Sequence, residues 1–195
     1  MTTWTDRAYA DPVPYLRHRA ELILALGPPL ESGDRLLDLA CGDGGLADFL
    51  PGIEYLGVDA DPKMVDEAAS KGRSIVHADL NDFRPDRPVV ATTLFRGLYY
   101  ARERRAFFRH VADFSERKIV FDLNPRQYAP AYVQAELRAA GLDGIAMRPF
   151  FVPQTRTLPR PVGAALVAAE RSGPPARLAL RYRFTYVVAA WRQRT

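Results

Sequence analysis

The sequence predicts an α/β fold: a doubly wound, mostly parallel sheet of seven strands with helices on both faces, in one domain over residues 1–195. Three observations carry this. Short apolar runs alternate with amphipathic stretches, as βα units do. The first run passes straight into a glycine-rich turn, Cys41-Gly42-Asp43-Gly44-Gly45. Acids stand at or near the ends of the first three runs, at Asp38, Asp59 and Asp79. A chain of 195 residues suits one such domain and leaves little room for a second.

In order along the chain, residues 1–30 read as an N-terminal helical cap. Its helix from Tyr15 to Leu26 is stopped by Gly27-Pro28-Pro29. Arg35 to Ala40 is a buried strand, and Gly45 to Leu50 a short helix closed by Pro51-Gly52. Tyr55 to Asp59 is the second strand. Asp61 to Ser70 is a helix with Pro62 near its start and Gly72 beyond its end, the expected polarity. Ser74 to Ala78, Val89 to Phe95 and Lys118 to Leu123 are strands three to five. Helices at Arg102 to Phe114 and Tyr132 to Ala140 flank the fifth. Ile145 to Val152 and Leu178 to Ala190 then alternate in the manner of strands. The insertion between them, residues 153–175, carries a helix from Val162 to Arg171.

Composition narrows the class. At 48% hydrophobic and 26% charged, the chain is globular and not disordered. It has no run near the ~20 apolar residues of a membrane span, and its start lacks the apolar stretch of a signal peptide. Cys41, the single cysteine, can form no internal disulfide. A cytoplasmic location is expected. The net charge of +4 is unevenly spread: from Ala146 onward nine arginines stand against one acid, Glu170. These arginines form no compact run, which argues against nucleic acid as a partner and suits a surface that attracts small anions.

The chemistry concentrates in the first half. Glycines at positions 42 and 44 allow positive φ and close approach of a ligand to the backbone. Free amides at the following helix start favour a negatively charged group. Asp59 lies 17 residues after Gly42, where a carboxylate can accept from both hydroxyls of a ribose. Asp79 can accept from an adenine amino group, and Leu80 can pack on the ring. No cluster of the three histidines has metal-ligand spacing. Cys41 reads as a packing residue, since no base flanks it.

These residues resemble the class I S-adenosylmethionine-dependent methyltransferases of the small-molecule type, with good register over Arg35 to Leu123. Asp38 and Gly42-Asp43-Gly44 match the family's first motif, Asp59 its ribose acid, and Asp79-Leu80 its adenine-side motif. The resemblance implies a Rossmann-like seven-stranded sheet with an antiparallel strand near the C-terminus, which Leu178 to Ala190 can supply. It implies S-adenosyl-L-methionine as cofactor, S-adenosyl-L-homocysteine as product, and a donor site built from Asp38, Ala40, Gly42, Gly44, Asp59, Ala60, Met64, Asp79, Leu80 and Phe95. Gly42 to Ala47 also satisfies G-x-G-x-x-G/A, so a nicotinamide-dependent oxidoreductase is the alternative. A non-catalytic cofactor-binding module is a second alternative, and a methyltransferase acting on RNA or protein a third.

The family takes its acceptor residues from the N-terminal helix, the loops after strands four and five, and the insertion before the last strand. Here those places hold Tyr9, Tyr15, His18, Arg96, Tyr99, Tyr100, Arg126 and Arg156. Tyr99, Tyr15 and His18 are candidate catalytic residues. Tyr99 stands where many relatives carry a histidine. Tyr9, Arg96, Tyr100, Arg126 and Arg156 are candidates for holding the acceptor. Asn124-Pro125-Arg126 departs from the Asn-Pro-Pro-aromatic motif of nucleic-acid amino-methyltransferases in place and in its third residue, so that specificity is not implied. The expectation is methyl transfer to oxygen or nitrogen of a small molecule, an anionic one if the arginines serve as anchors.

Overall fold

The computed structural model describes residues 2–173, 176 and 185–193. Strands buried on both faces read as continuous apolar runs, and Arg35–Leu39 (β1) is one, with Leu36, Leu37 and Leu39 fully buried. It pairs in parallel with Glu54–Asp59 (β2) on one side and Val89–Leu94 (β4) on the other. Ile75–His77 (β3) extends the sheet beyond β2, and Ser115–Leu123 (β5) extends it beyond β4, both parallel. Thr185–Trp191 (β7) then inserts antiparallel between β5 and Gly144–Phe150 (β6). The order is β3-β2-β1-β4-β5-β7-β6. This is the expected seven-stranded sheet with its antiparallel strand. The first part of the expected last strand, 178–184, lies outside the described residues.

Two boundaries move inward or outward for physical reasons. β5 begins at Ser115, three residues before the apolar run, because Arg104–Phe114 (α4) passes into it without a loop. The helix expected from Gly45 is a 3-10 turn, Gly45–Phe49. A helix not expected, Trp4–Ala8 (α1), precedes the long N-terminal helix Pro12–Ala25 (α2). Pro62–Ser70 (α3) follows β2, capped by Asp61, whose side chain accepts from the Lys63 amide. Pro130–Ala139 (α5) follows β5, and Arg160–Ala169 (α6) lies in the insertion with none of its residues buried.

The two sheet faces make separate cores. Leu37, Leu39, Phe121, Val188 and Ala190 pack against α4 and α5 through Phe107, Phe108, Val111 and Leu137. Leu36, Val120, Val187 and Ala189 face the other way, onto Tyr15, Leu16, Leu22 and Ile23 of α2. Strand alternation sorts the polar residues too. Asp38 shares a face with Leu36, and Asp122 with Val120, so both acids point to the α2 side. Phe108 is fully buried and rings against Phe121 at 5.4 Å between centroids. Phe108→Ala is expected to cost about 3–5 kcal/mol of unfolding free energy, read from chemical denaturation midpoints at constant slope.

Candidate active site

In a doubly wound sheet ligands bind outside the carboxyl ends of the strands, where the strand order reverses. A cleft of about 690 Å3 opens there, at the ends of β1, β2 and β4. It gathers Ala40, Gly42, Asp59, Ala60, Met64, Asp79, Leu80 and Phe95 of the expected donor site, with Arg96, Tyr99 and Tyr100 of the expected acceptor side. Trp4, Asp61, Pro62, Ala78, Asn81 and Arg102 complete its walls.

The glycine turn is held open by specific bonds. The Gly42 amide donates to Asp59 Oδ2 at 2.8 Å, and the Asp61 amide to Asp59 Oδ1 at 2.9 Å. Gly42 has φ of +61°, and a Cβ there would come within 2.8 Å of the Trp4 ring. Both the left-handed backbone and the aromatic lid thus require glycine. Among the described residues, the two non-glycines with positive φ are Ala40 (53°) and Arg96 (54°), at the ends of β1 and β4. Backbone held in this sparsely populated region gathers at functional sites, and both residues wall the cleft. A turn whose glycine, carboxylate and amides face one hollow is a fit for a nucleoside carrying an amino-acid tail.

Asp38 and Gly44 stand behind the wall and do not line the cleft. Asp38 is buried, accepting from Tyr55 Oη at 2.7 Å and Thr93 Oγ1 at 2.6 Å. Burial pushes its pKa up to about 6, against the pull of those two hydrogen bonds and of the Arg19 charge. Cys41 is buried, and burial with the nearby Asp38 and Asp59 charges holds its thiol well above its ordinary range, so it is no nucleophile. Asp79 accepts from the Asn81 amide, the Asn81 side chain and Arg102 Nη2 at 2.7–2.8 Å, which lowers its pKa.

The three catalytic candidates are not brought together. Tyr99 lies on the cleft, its ring 4.3 Å from that of Tyr100. Desolvation and the neighbouring Tyr100 push its phenol up to about 12, so it can donate a hydrogen bond but does not take up a proton near neutrality. Tyr15 is buried beneath, its hydroxyl accepting from Arg19 Nη2 at 2.8 Å, and burial pushes it up to about 12. His18 lies on the far side of α2, between Glu170 at 2.7 Å and Glu21 at 3.2 Å. Burial pulls its pKa down, but the two carboxylates outweigh that and leave it raised. Of the acceptor candidates, Tyr9 is buried against Trp4 and Tyr15, Arg156 lines a separate groove beside α6, and Arg126 sits on the loop after β5, its amide donating to Asn124.

Sequence reasoning missed Trp4, Arg19, Tyr55, Thr93, Asn81 and Arg102. A signal existed for Arg19: it occupies an inward position in the stripe Tyr15, Leu16, Leu22, Ile23, Leu26, where a charge is out of place. Among the described residues no group of His, Cys, Asp and Glu is placed to hold a metal, and no helix is long and apolar enough to cross a membrane.

The raised pKa of Asp38 has a thermodynamic consequence. The folded state holds this proton more tightly than the unfolded chain, so stability falls as pH rises through the window from 3.8 to about 6. Wild type is therefore expected to lose stability relative to Asp38→Asn across that window, with the difference constant above it. Paired thermal melts from pH 3.5 to 7.5 check this, roughly spanning both limits; a difference that does not move with pH would refute it.

Comparisons with known proteins bear on the whole arrangement. Over 78 residues the chain is 37% identical to trans-aconitate 2-methyltransferases of Mycobacterium tuberculosis and Mycobacterium bovis, a stretch covering 37% of this chain and 29% of the relatives. The match thus spans less than a third of the length of these curated relatives. Among solved structures, a chain from the Haloferax volcanii complex between the Trm112 methyltransferase activator and a methyltransferase superposes with a TM-score of 0.68 at 19% identity, covering 98% of this chain and 96% of that one. Magnesium protoporphyrin IX methyltransferase from Synechocystis, with S-adenosylmethionine bound, superposes with a TM-score of 0.63 at 16% identity, covering 99% and 86%. The fold is that of the class I methyltransferases. Residues 18–119, more than half of the chain, match the family described as methionine biosynthesis protein MetW, and the chain belongs to that family.

Proposed function

We propose that this protein is an S-adenosylmethionine-dependent methyltransferase of the cytoplasm that methylates oxygen or nitrogen of a small anionic molecule. The observation that carries the reading is convergence: the glycine turn and the strand-end acids Asp59 and Asp79 face one cleft although they lie on three different strands. The relatives named for trans-aconitate support a small carboxylate as acceptor.

When bound, the cofactor supplies a methyl group on a sulfonium, already activated for displacement. The chain's own work is then to hold, align and exclude water. Asp59 would accept the ribose hydroxyls while keeping the Gly42 amide in place. Leu80, Met64 and Phe95 offer apolar surface to the base and the sulfur side. Asp79, already paired with Arg102 and Asn81, is pre-oriented to accept from an adenine amino group. Tyr99 and Arg96, which line the same cleft, would face the acceptor.

A base helps only when the acceptor must lose a proton. Tyr99 keeps its proton, and His18 is held between two carboxylates outside the cleft. An acceptor that arrives as an anion presents its lone pair without proton removal, which suits these residues. Titration calorimetry of cofactor-stripped protein with S-adenosylmethionine, S-adenosylhomocysteine and NADH tests the reading. Micromolar binding of the two sulfur ligands is expected, weakened roughly ten- to a hundredfold in Asp59→Ala by loss of a charge-assisted hydrogen-bond pair. Binding of NADH alone would replace this reading with the oxidoreductase; binding of none would favour a non-catalytic module.

A further inference from the structure

A second hollow, a groove of about 820 Å3, lies between α2 and the insertion that carries α6. It shares no lining residue with the cleft. Its volume falls within the ~300–1,000 Å3 of small-molecule pockets. Specific bonds hold its two walls in place. Beside Glu21, the buried Glu170 joins α6 to both α2 and β6: its Oε2 meets His18 Nε2 at 2.7 Å, and its Oε1 accepts the Phe151 amide at 2.7 Å. Beside Asp11, the Ala10 amide donates to the Gln154 carbonyl at 2.9 Å, and Gln154 Nε2 donates to the Ala8 carbonyl at 3.0 Å. The insertion is thus fastened to the N-terminal segment at two places, and the gap left between them is the groove.

The walls are apolar. From Pro161 to Ala169, α6 has no charged or hydrogen-bonding side chain, yet none of its residues is buried. A helix apolar all round ordinarily lies covered. Ala164 and Val167 of α6 line the groove together with Val13 and Pro14 of α2, and with Val152 and Leu158.

The rim is cationic. Arg17, Arg156, Arg160 and Arg171 all line the groove and all are exposed, and none has an ion-pair partner among the described residues. Against these four the described lining holds two acids, Asp11 and Glu21, and Glu21 is engaged by His18 Nδ1 at 3.2 Å. Glu170, the single acid from Ala146 onward, is turned inward onto His18. The described part of the insertion therefore presents cations to the groove and no acid.

We propose that this groove binds a single-chain anionic amphiphile, with its apolar body between α2 and α6 and its acidic head on the arginine rim. Charge complementarity selects this occupant: the rim disfavours a cationic head, and planar guanidinium forks match a carboxylate. The site goes beyond the methyl-transfer reading and does not rest on it. It also gives Arg156 a ligand other than the acceptor in the cleft.

Calorimetric titration of the full chain with decanoate, kept below its micellar concentration, tests this against decyltrimethylammonium, a cation of the same chain length. Saturable binding of decanoate at one site is expected, with the cation at least about tenfold weaker. Arg156→Ala/Arg160→Ala should lose at least about tenfold in decanoate affinity. Arg109→Ala/Arg138→Ala, which removes the same charge from exposed positions away from the groove, should bind as wild type does. The inference is overturned if the two amphiphiles bind alike in wild type, a comparison that needs no variant, or if the two double variants lose affinity equally. Binding to phosphatidylglycerol vesicles without binding of monomeric decanoate would also overturn it, and would make this face a membrane contact. A chain that binds decanoate as expected but no S-adenosyl compound keeps this inference and loses the donor-site reading.

Discussion

The site hangs on one carboxylate. Asp59 ends β2, and through it the chain fixes three neighbouring pieces at once. Its side chain receives the amides of Gly42 and Asp61, and its carbonyl receives the amide of Ala78 at 3.0 Å. The turn after β1, the start of α3 and the end of β3 therefore diverge from a common point. Parallel pairing supplies the rest: Leu39 lies beside Val58 on one side and Leu94 on the other. Because neighbouring parallel strands all point the same way, their ends open onto a single hollow and not onto opposite edges of the sheet. The left-handed turns at Ala40 and Arg96 then carry the chain sharply off the sheet on either side of it.

Alternation along the central strands does a second job. Odd and even positions of β1 and β5 serve different cores, and two of the acids on them, Asp38 and Asp122, fall on the face covered by α2. A polar cluster thereby lies beneath the site: Asp38 with Tyr55 and Thr93, and Asp122 with the Arg19 guanidinium and the Arg96 amide. Buried polar groups are expensive when half satisfied, so the cluster constrains where α2 can sit relative to the sheet. The site's inner wall is as rigid as that packing.

The sheet was legible because its signals are strong and local. Runs such as Leu36-Leu37 and Val120-Phe121 are apolar on both faces, and Pro62 and Gly72 punctuate α3 from either end. The glycine turn and the strand-end acids Asp59 and Asp79 could be placed on the cleft for the same reason, since strand ends fix position. What stayed hidden depends on distance in the chain. Trp4 reaches Gly42 across 38 positions, from a five-residue helix whose sequence has no periodicity to read. Arg19 sits in a stripe otherwise apolar, where helical pattern says only that something is inward. Tyr55 and Thr93 look like ordinary strand residues until pairing brings Asp38 between them. His18 drew attention as a histidine near the start of the chain, but helix geometry turns it away from the site and toward Glu170.

The attachment of α1 has a kinetic meaning. Trp4 lies over Gly42, yet its helix buries no side chain of its own and is fastened mainly by polar bonds: Thr5 to Asp43, the Trp4 amide to Glu67, and Arg7 to Glu67 at 2.7 Å. Contacts of this kind, partly buried at most around the helix itself, open more often than a packed core does. Release of α1 would uncover the Gly42 turn, so these few bonds bear on access to the cleft.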